Sequence, residues 1–223
     1  MSELLRRGVY ARDPKWLLDN LLAKYKVISV PTDAGWSYAL VGSGARSLSA
    51  FYMHLATGTT ASSSARVYID PYYLNTDSVT SYSLDWSKRL DLWFIANRIF
   101  SDPECVGRIQ LKNTSAEGAL AGLGVGVEFD NYSVVGEAYG TARGTLSLGT
   151  IPNDRLWQFR IVHVPGVKVE FWVNRVKIGE LTGNYVPSGT ATTPWLVASI
   201  KNGPTGGVDA ILRLGNIWII QEW

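Results

Sequence analysis

In the carboxyl half of the chain, apolar residues recur at every second position. Trp157, Phe159, Ile161 and His163 share one side of an extended segment, and beyond Pro165-Gly166 the residues Val167, Val169, Phe171 and Val173 repeat the period. A period of two is that of a strand with one buried face, so this stretch predicts a hairpin. A second tight turn at Asn174-Arg175 leads into Val176, Ile178 and Leu181, which extends the hairpin to a three-stranded meander.

From Trp36 onward, similar short apolar or alternating runs are separated by clusters of Gly, Pro, Ser, Asn and Asp. They predict strands over 36–41, 50–56, 65–70, 91–100, 106–112, 124–130, 133–139, 144–148, 156–164, 167–173, 176–181, 195–201, 208–214 and 216–222. No helical period intervenes, which argues for antiparallel sheets rather than strands alternating with helices. Each sheet then has one apolar face to bury. The expected architecture is all-β, with two antiparallel sheets stacked as a sandwich.

Residues 13–25 break this pattern. Asp13 is a suitable cap, Pro14 suits the first helical position, and Trp16, Leu17, Leu21, Leu22 and Tyr25 recur at helical spacing. One short amphipathic helix is expected here. Its apolar side either packs across an open end of the sandwich or docks to another subunit, with Trp16, Leu17, Leu21 and Leu22 as the assembly candidates. The expected organisation is an arm and helix over residues 1–30, followed by one sandwich domain over residues 31–223.

A hydrophobic fraction of 46%, with 12% aromatic and 18% charged residues, describes a globular chain and excludes disorder. The formal charge is +2 and no basic run is present, so nucleic acid is not an expected partner. Cys105 is the single cysteine, which rules out an internal disulfide and assigns it to packing. The first residues lack the apolar run of a signal peptide, and no stretch is long enough to span a bilayer. Membrane insertion is therefore not expected. A virion or extracellular surface remains an expected location, because virion proteins are made in a host cytoplasm and act outside it.

The segment from Trp157 to Leu181, with its Phe171-Trp-Val-Asn-Arg-Val176 hairpin, resembles the C-terminal half of concanavalin A-like lectin/glucanase and laminin-G-like domains. Gly124-Val-Gly-Val-Glu-Phe-Asp-Asn131, the Leu148-Gly-Thr-Ile-Pro152 approach and the loop after Ser43 are similar to versions of that domain in surface proteins of phages and other viruses. The resemblance spans roughly residues 36–222 and implies a jelly-roll sandwich. It does not choose a function, since the fold carries lectins, hydrolases, lyases and virion parts. One departure is Arg175, where those families commonly have glycine. A mirror-image turn would need positive φ there, so a different turn form is expected.

Glu128 and Asp130 are the enzyme candidates, because side chains two apart on a strand share a face and two carboxylates can flank a glycosidic bond. Retaining glucanases of this fold carry a Glu-x-Asp-x-x-Glu pattern on one strand. Here Asn131, Tyr132 and Ser133 follow, and Glu137 falls on the next predicted strand. The third carboxylate is missing, so Glu128 and Asp130 are read as lining a solvated concave face or pairing with Arg143 or Arg160. His54 and His163 are isolated, which excludes a triad or a zinc site built on them. Calcium is the one cofactor left open, through Asp70, Asn75 and Asp77 or Asp130 with Asn131. Lys201-Asn-Gly-Pro204 and Gly206-Gly207 read as turns.

Aromatic residues exceed what one sandwich core holds, so some are expected outside. Trp172, alternating with core Phe171 and flanked by Lys168 and Glu170, is the surface aromatic of choice. Trp172, Glu128, Asp130 and Tyr132 form the expected ligand-binding set. Three functions compete. The first is a non-catalytic virion component, such as a capsid-vertex, fibre or tail-associated protein, assembling as a homo-oligomer and with other virion proteins. The second is a lectin-like module for cell-surface glycans, and the third a glycoside hydrolase.

Overall fold

The computed structural model describes residues 36–49, 52–69, 84–100, 104–130, 133–189, 194–206 and 208–222, and the backbone of 24–28. All strand pairs are antiparallel and fall into two sheets. Sheet A runs β13 (Val176–Thr182), β12 (Lys168–Val173), β11 (Trp157–Val164), β6 (Leu90–Ile99), β15 (Ile211–Gln221), β4 (Met53–Ala56), β3 (Ala45–Leu48), with β1 (Lys24–Ile28) also on β15. Sheet B runs β10 (Arg143–Thr150), β9 (Ser133–Tyr139), β8 (Gly124–Asp130), β7 (Val106–Lys112), β14 (Trp195–Lys201), β5 (Ser64–Ile69), β2 (Trp36–Val41). The expected all-β sandwich is what forms.

The alternating residues line the space between the sheets. Phe159 of β11 stacks on Phe94 of β6 with centroids 5.2 Å apart, and meets Phe129 of β8 edge-on at 5.5 Å. That trio joins the two sheets. Where a large ring needs room, the facing strand supplies glycine: a methyl at Gly136 of β9 would fall inside contact distance of the Phe171 ring of β12. Cys105 is fully buried within this layer, as its packing role requires.

Strands β2, β7, β8, β9 and β14 coincide with the predicted bounds. Two corrections concern β15, where the runs 208–214 and 216–222 form one strand, and Gly215-Asn216 is a register shift instead of a turn. A glycine followed by asparagine reads as a break, yet pairing with β6 continues on both sides of it. Neither β1 nor β3 was predicted. β3 is four residues long and largely exposed, so it lacks an apolar alternation to read. β1 takes up the last two positions of the expected helix. The rest of that helix, with Trp16, Leu17, Leu21 and Leu22, lies outside the described residues, as do Asp70, Asn75, Asp77, Asn131 and Tyr132.

The meander is present as β11-β12-β13. Its second turn overturns the expectation drawn from Arg175. Asn174 has φ 48° and Arg175 has φ 72°, so the mirror-image geometry is retained without glycine. Asn174 fastens the turn to β11: its N–H donates to Gln158 O at 2.8 Å, and its Oδ1 accepts from Gln158 N–H at 3.0 Å. On the outward side of the meander, Lys168 and Lys177 both reach Glu170 Oε1, at 2.7 and 2.9 Å, and Trp172 Nε1 donates to Glu170 Oε2 at 3.2 Å. Burial pushes the Glu170 carboxyl up, but these three donors outweigh it and bring it down to about 2.

Two outcomes follow from the meander. Arg175→Gly relieves left-handed strain and is expected to raise stability by about 0.5–1 kcal/mol, after the flexibility glycine adds to the unfolded chain; an unchanged or lower midpoint in urea refutes this. A carboxyl lowered by folding stabilises above its unfolded pKa and loses that contribution as pH falls from there toward the folded value. The stability advantage of the native protein over Glu170→Gln should therefore be full above about pH 4.5 and decline toward pH 2, and a pH-independent difference between the two denaturation series would contradict it.

Candidate functional site

Because side chains alternate across a strand, burying Ile109, Leu111, Val125, Val127, Phe129, Ala138, Leu196, Ala198, Ile200, Ala65 and Val67 inward sends their neighbours to the outer face of sheet B. The register arranges those neighbours in rows. One row crosses Thr145, Glu137, Gly126, Gln110, Val197 and Tyr68, and the next crosses Ser147, Val135, Glu128, Arg108, Ser199 and Arg66. A third holds Ser133, Asp130, Val106, Lys201 and Ser64. The face is polar and charged along most of its width.

Glu128 and Glu137 share this face on neighbouring strands. Arg108 Nε donates to Glu128 Oε2 at 2.7 Å, and Arg143 Nη2 bridges Glu128 Oε2 at 3.3 Å and Glu137 Oε2 at 3.0 Å. Arg143 Nε adds a second bond to Glu137 Oε2 at 3.1 Å. Glu137 is fully buried, and its other oxygen takes a short hydrogen bond from Gln110 Nε2. Gly126 makes that reach possible, since it lies between Gln110 and Glu137, and a methyl there would sit 2.7 Å from Gln110 Cγ. Asp130 is on the same face but exposed at the strand end.

Residues 113–123 fold over one side of the face. Leu120 is 3% exposed and directs its N–H toward Glu137 Oε2 at 3.5 Å, while Lys112 Nζ donates to Gly118 O at 3.1 Å. Burial lowers the Lys112 ammonium to about 8, with Glu137 and Glu117 opposing the shift and Arg108 and Arg66 adding to it. Beside this cover is a cavity of about 290 Å³ lined by Glu104, Val106, Arg108, Glu117, Lys201 and Asn202. Asn202 is 2% exposed; its Nδ2 holds Gly58 O and Thr60 O at 2.8 and 3.3 Å, and its Oδ1 has no partner. Lys201-Asn-Gly-Pro204, expected as a turn, is instead the end of β14 followed by an irregular exit, and Lys201 and Asn202 supply part of the cavity wall. At the far edge of the face, Tyr68 and Trp195 meet edge-on at 5.6 Å.

The expected ligand-binding set is divided by this geometry. Glu128 and Asp130 lie on sheet B, whereas Trp172 lies on the outer face of sheet A, so the sandwich separates them. Trp172 is half-buried in a row with Arg160, Trp93 and Trp218. The Arg160 guanidinium stands 4.6 Å from the Trp93 ring and 5.6 Å from Trp172, and it binds Asp91 rather than Glu128. Arg143 was correctly named as a partner of Glu128; Arg160 was not. Burial raises the Asp91 carboxyl in spite of Arg160. Trp93 and Trp218 are 7% and 6% exposed, which reduces the expected aromatic surplus, while Tyr38 and Tyr185 remain outside at 57% and 39%.

His163 points inward as the alternation implied, with Nε2 2.7 Å from Pro187 O and its ring edge-on to Trp86; burial lowers its pKa. His54 is likewise lowered by burial and by Arg213. Among the described residues no group of three or more His, Cys, Asp or Glu side chains is gathered as for a metal ion. Arg66, Arg108 and Gln110 were not singled out from sequence, and Lys201 was read only as part of a turn. The signal was present: Arg108, Gln110 and Lys112 alternate with Gly107, Ile109 and Leu111, which puts three polar residues on one face of a predicted strand.

No protein-family model and no curated protein matches the sequence. Solved structures do match in fold. The endo-β-1,4-glucuronan lyase of the fungus Trichoderma reesei superposes with TM-score 0.59 at 10% identity, over 88% of this chain and 94% of that one. The Bacillus licheniformis β-glucanase gives TM-score 0.58 at 11% identity, over 90% and 98%. The Emp47p carbohydrate recognition domain gives 0.57 at 8%, over 86% and 90%. The chain therefore has the sandwich fold shared by concanavalin A-like lectin, glucanase and lyase domains.

Proposed function

We propose that the chain is a non-catalytic, glycan-binding module that uses the outer face of sheet B. The observation that carries this reading is the state of the two glutamates. A glycosidase needs one carboxyl free to protonate the leaving oxygen and another open to the sugar. Glu137 is closed off beneath residues 113–123 and held by Arg143 and Gln110, and Glu128 is committed to Arg108 and Arg143. What stays open on the same face is a polar cavity, with the Tyr68 and Trp195 rings farther along it. Flat rings beside hydrogen-bonding groups suit a sugar's apolar face and hydroxyl rim. Similarity in fold to a carbohydrate recognition domain, a glucanase and a glucuronan lyase supports the same reading. Display on a virion surface is supported by the resemblance of Gly124–Asn131, Leu148–Pro152 and the loop after Ser43 to phage and viral surface domains.

The test is a panel of neutral and acidic oligosaccharides offered to the purified protein, with binding and reducing-end release both monitored. Binding without turnover is expected, weakened about 10-fold by Trp195→Ala, as for loss of an aromatic anchor, and unchanged by Trp172→Ala on the opposite sheet. Silence across the panel refutes glycan binding. Sugar release that Glu137→Gln or Glu128→Gln abolishes would make the protein an enzyme.

A further inference from the structure

Strands β5 and β14 place two cations and two hydroxyls in a checkerboard on the outer face of sheet B. Arg66 pairs in register with Ser199, and Ser64 pairs with Lys201. Arg66 and Lys201 are thus diagonal neighbours, a spacing of about 7–8 Å that long side chains readily span. Neither cation has a carboxylate partner among the described residues, and the Arg66 Nε–H is buried without an acceptor. Arg108, in register on the other side of Ser199, borders the cavity that Lys201 also lines.

Three carboxylates on or beside this face are engaged elsewhere. Glu128 and Glu137 are held by Arg108 and Arg143, and Glu104 Oε2 accepts from Thr205 Oγ1 at 2.8 Å. Glu117 lines the cavity from the covering residues, with one buried oxygen lacking a hydrogen-bond partner, and Asp130 is exposed at the end of the Lys201 row. Strands β5 and β14 themselves carry Arg66 and Lys201 and no acidic residue, so their share of the face is positive. Its field is felt at Lys112, where Arg66 and Arg108 both add to the lowering that burial begins.

We infer that Arg66 and Lys201, with Ser64 and Ser199 between them, form a subsite for the acidic group of a charged sugar, so that the glycan bound by this face is anionic. The inference rests on the glycan-binding reading and gives it a substrate class. Guanidinium and ammonium supply charge-assisted bonds to an oxyanion, while Ser64 and Ser199, 3% and 2% exposed, pack between the two cations. Tyr68 sits two residues along β5 from Arg66, on the side away from Ser64, with the Arg66 guanidinium 5.4 Å from its ring. A sugar ring resting on Tyr68 and Trp195 would thereby place an acidic substituent toward Arg66.

The experiment measures binding of three oligosaccharides of matched length to the full chain: a carboxylated oligoglucuronate, a sulfated heparin fragment, and a neutral oligoglucose. At least one acidic probe is expected to bind about 10-fold or more tightly than the neutral one, and whether the carboxylated or the sulfated probe gains identifies the oxyanion. Arg66→Gln and Lys201→Gln should each remove most of that gain, while Arg66→Lys restores part of it. Arg155→Gln, which removes an exposed charge outside sheet B, should change nothing. Equal affinity for all three probes, or an equal loss in Arg155→Gln, overturns the anionic subsite while glycan binding stands. Failure of every probe to bind refutes the glycan reading as well.

Discussion

The contact on which the rest depends is the closure of two sheets over one apolar layer, seen most directly where Phe159 stacks on Phe94 and meets Phe129 from the other sheet. Burial of aromatic and branched side chains is the dominant favourable term in such a fold. Once inward positions are set, strand geometry leaves no choice for the others. Arg108 and Gln110 face out because Ile109 and Leu111 face in, and the polar face of sheet B is a by-product of the core.

That face is organised by charge neutralisation. A fully buried carboxylate such as Glu137 is tolerated only when paired and hydrogen-bonded, and Arg143, Gln110 and the Leu120 N–H provide this. The same bonds occupy both Glu137 oxygens. Gly126 enters this arrangement through what it lacks, because a side chain there would stand where Gln110 crosses to its partner. Among the described residues Arg66 and Lys201 have no carboxylate partner, Glu128 and Glu137 lying across β7 on β8 and β9.

The two sides of the sandwich use charge differently. On sheet A, Arg160 is stacked between Trp93 and Trp172 and tied to Asp91, and Glu170 collects Lys168 and Lys177. These are closed sets in which each charge has its counterpart, and they rigidify the meander. On sheet B, Arg66 and Lys201 have no carboxylate partner among the described residues. Trp172, the most conspicuous outward aromatic in the sequence, belongs to the closed side.

Period-two alternation is a local property, so most of the strands, the meander, the inward turn of His163 and the outward turn of Trp172 and Glu128 were legible from the chain alone, whereas β1 and β3 were not. The separation of Glu137 onto its own strand was legible for the same reason. Register and sheet assignment are not local: they depend on which distant strands become neighbours. Only the tertiary structure could show that Trp172 and Glu128 lie on opposite sheets, that Arg160 belongs to Asp91, or that Gly215 sits inside one continuous strand. The turn at Arg175 is the instructive case, because intrinsic preference pointed to another form. The flanking strands and the Asn174 bonds to Gln158 hold the strained one, since the pairing of β12 with β13 outweighs about a kcal/mol of left-handed strain.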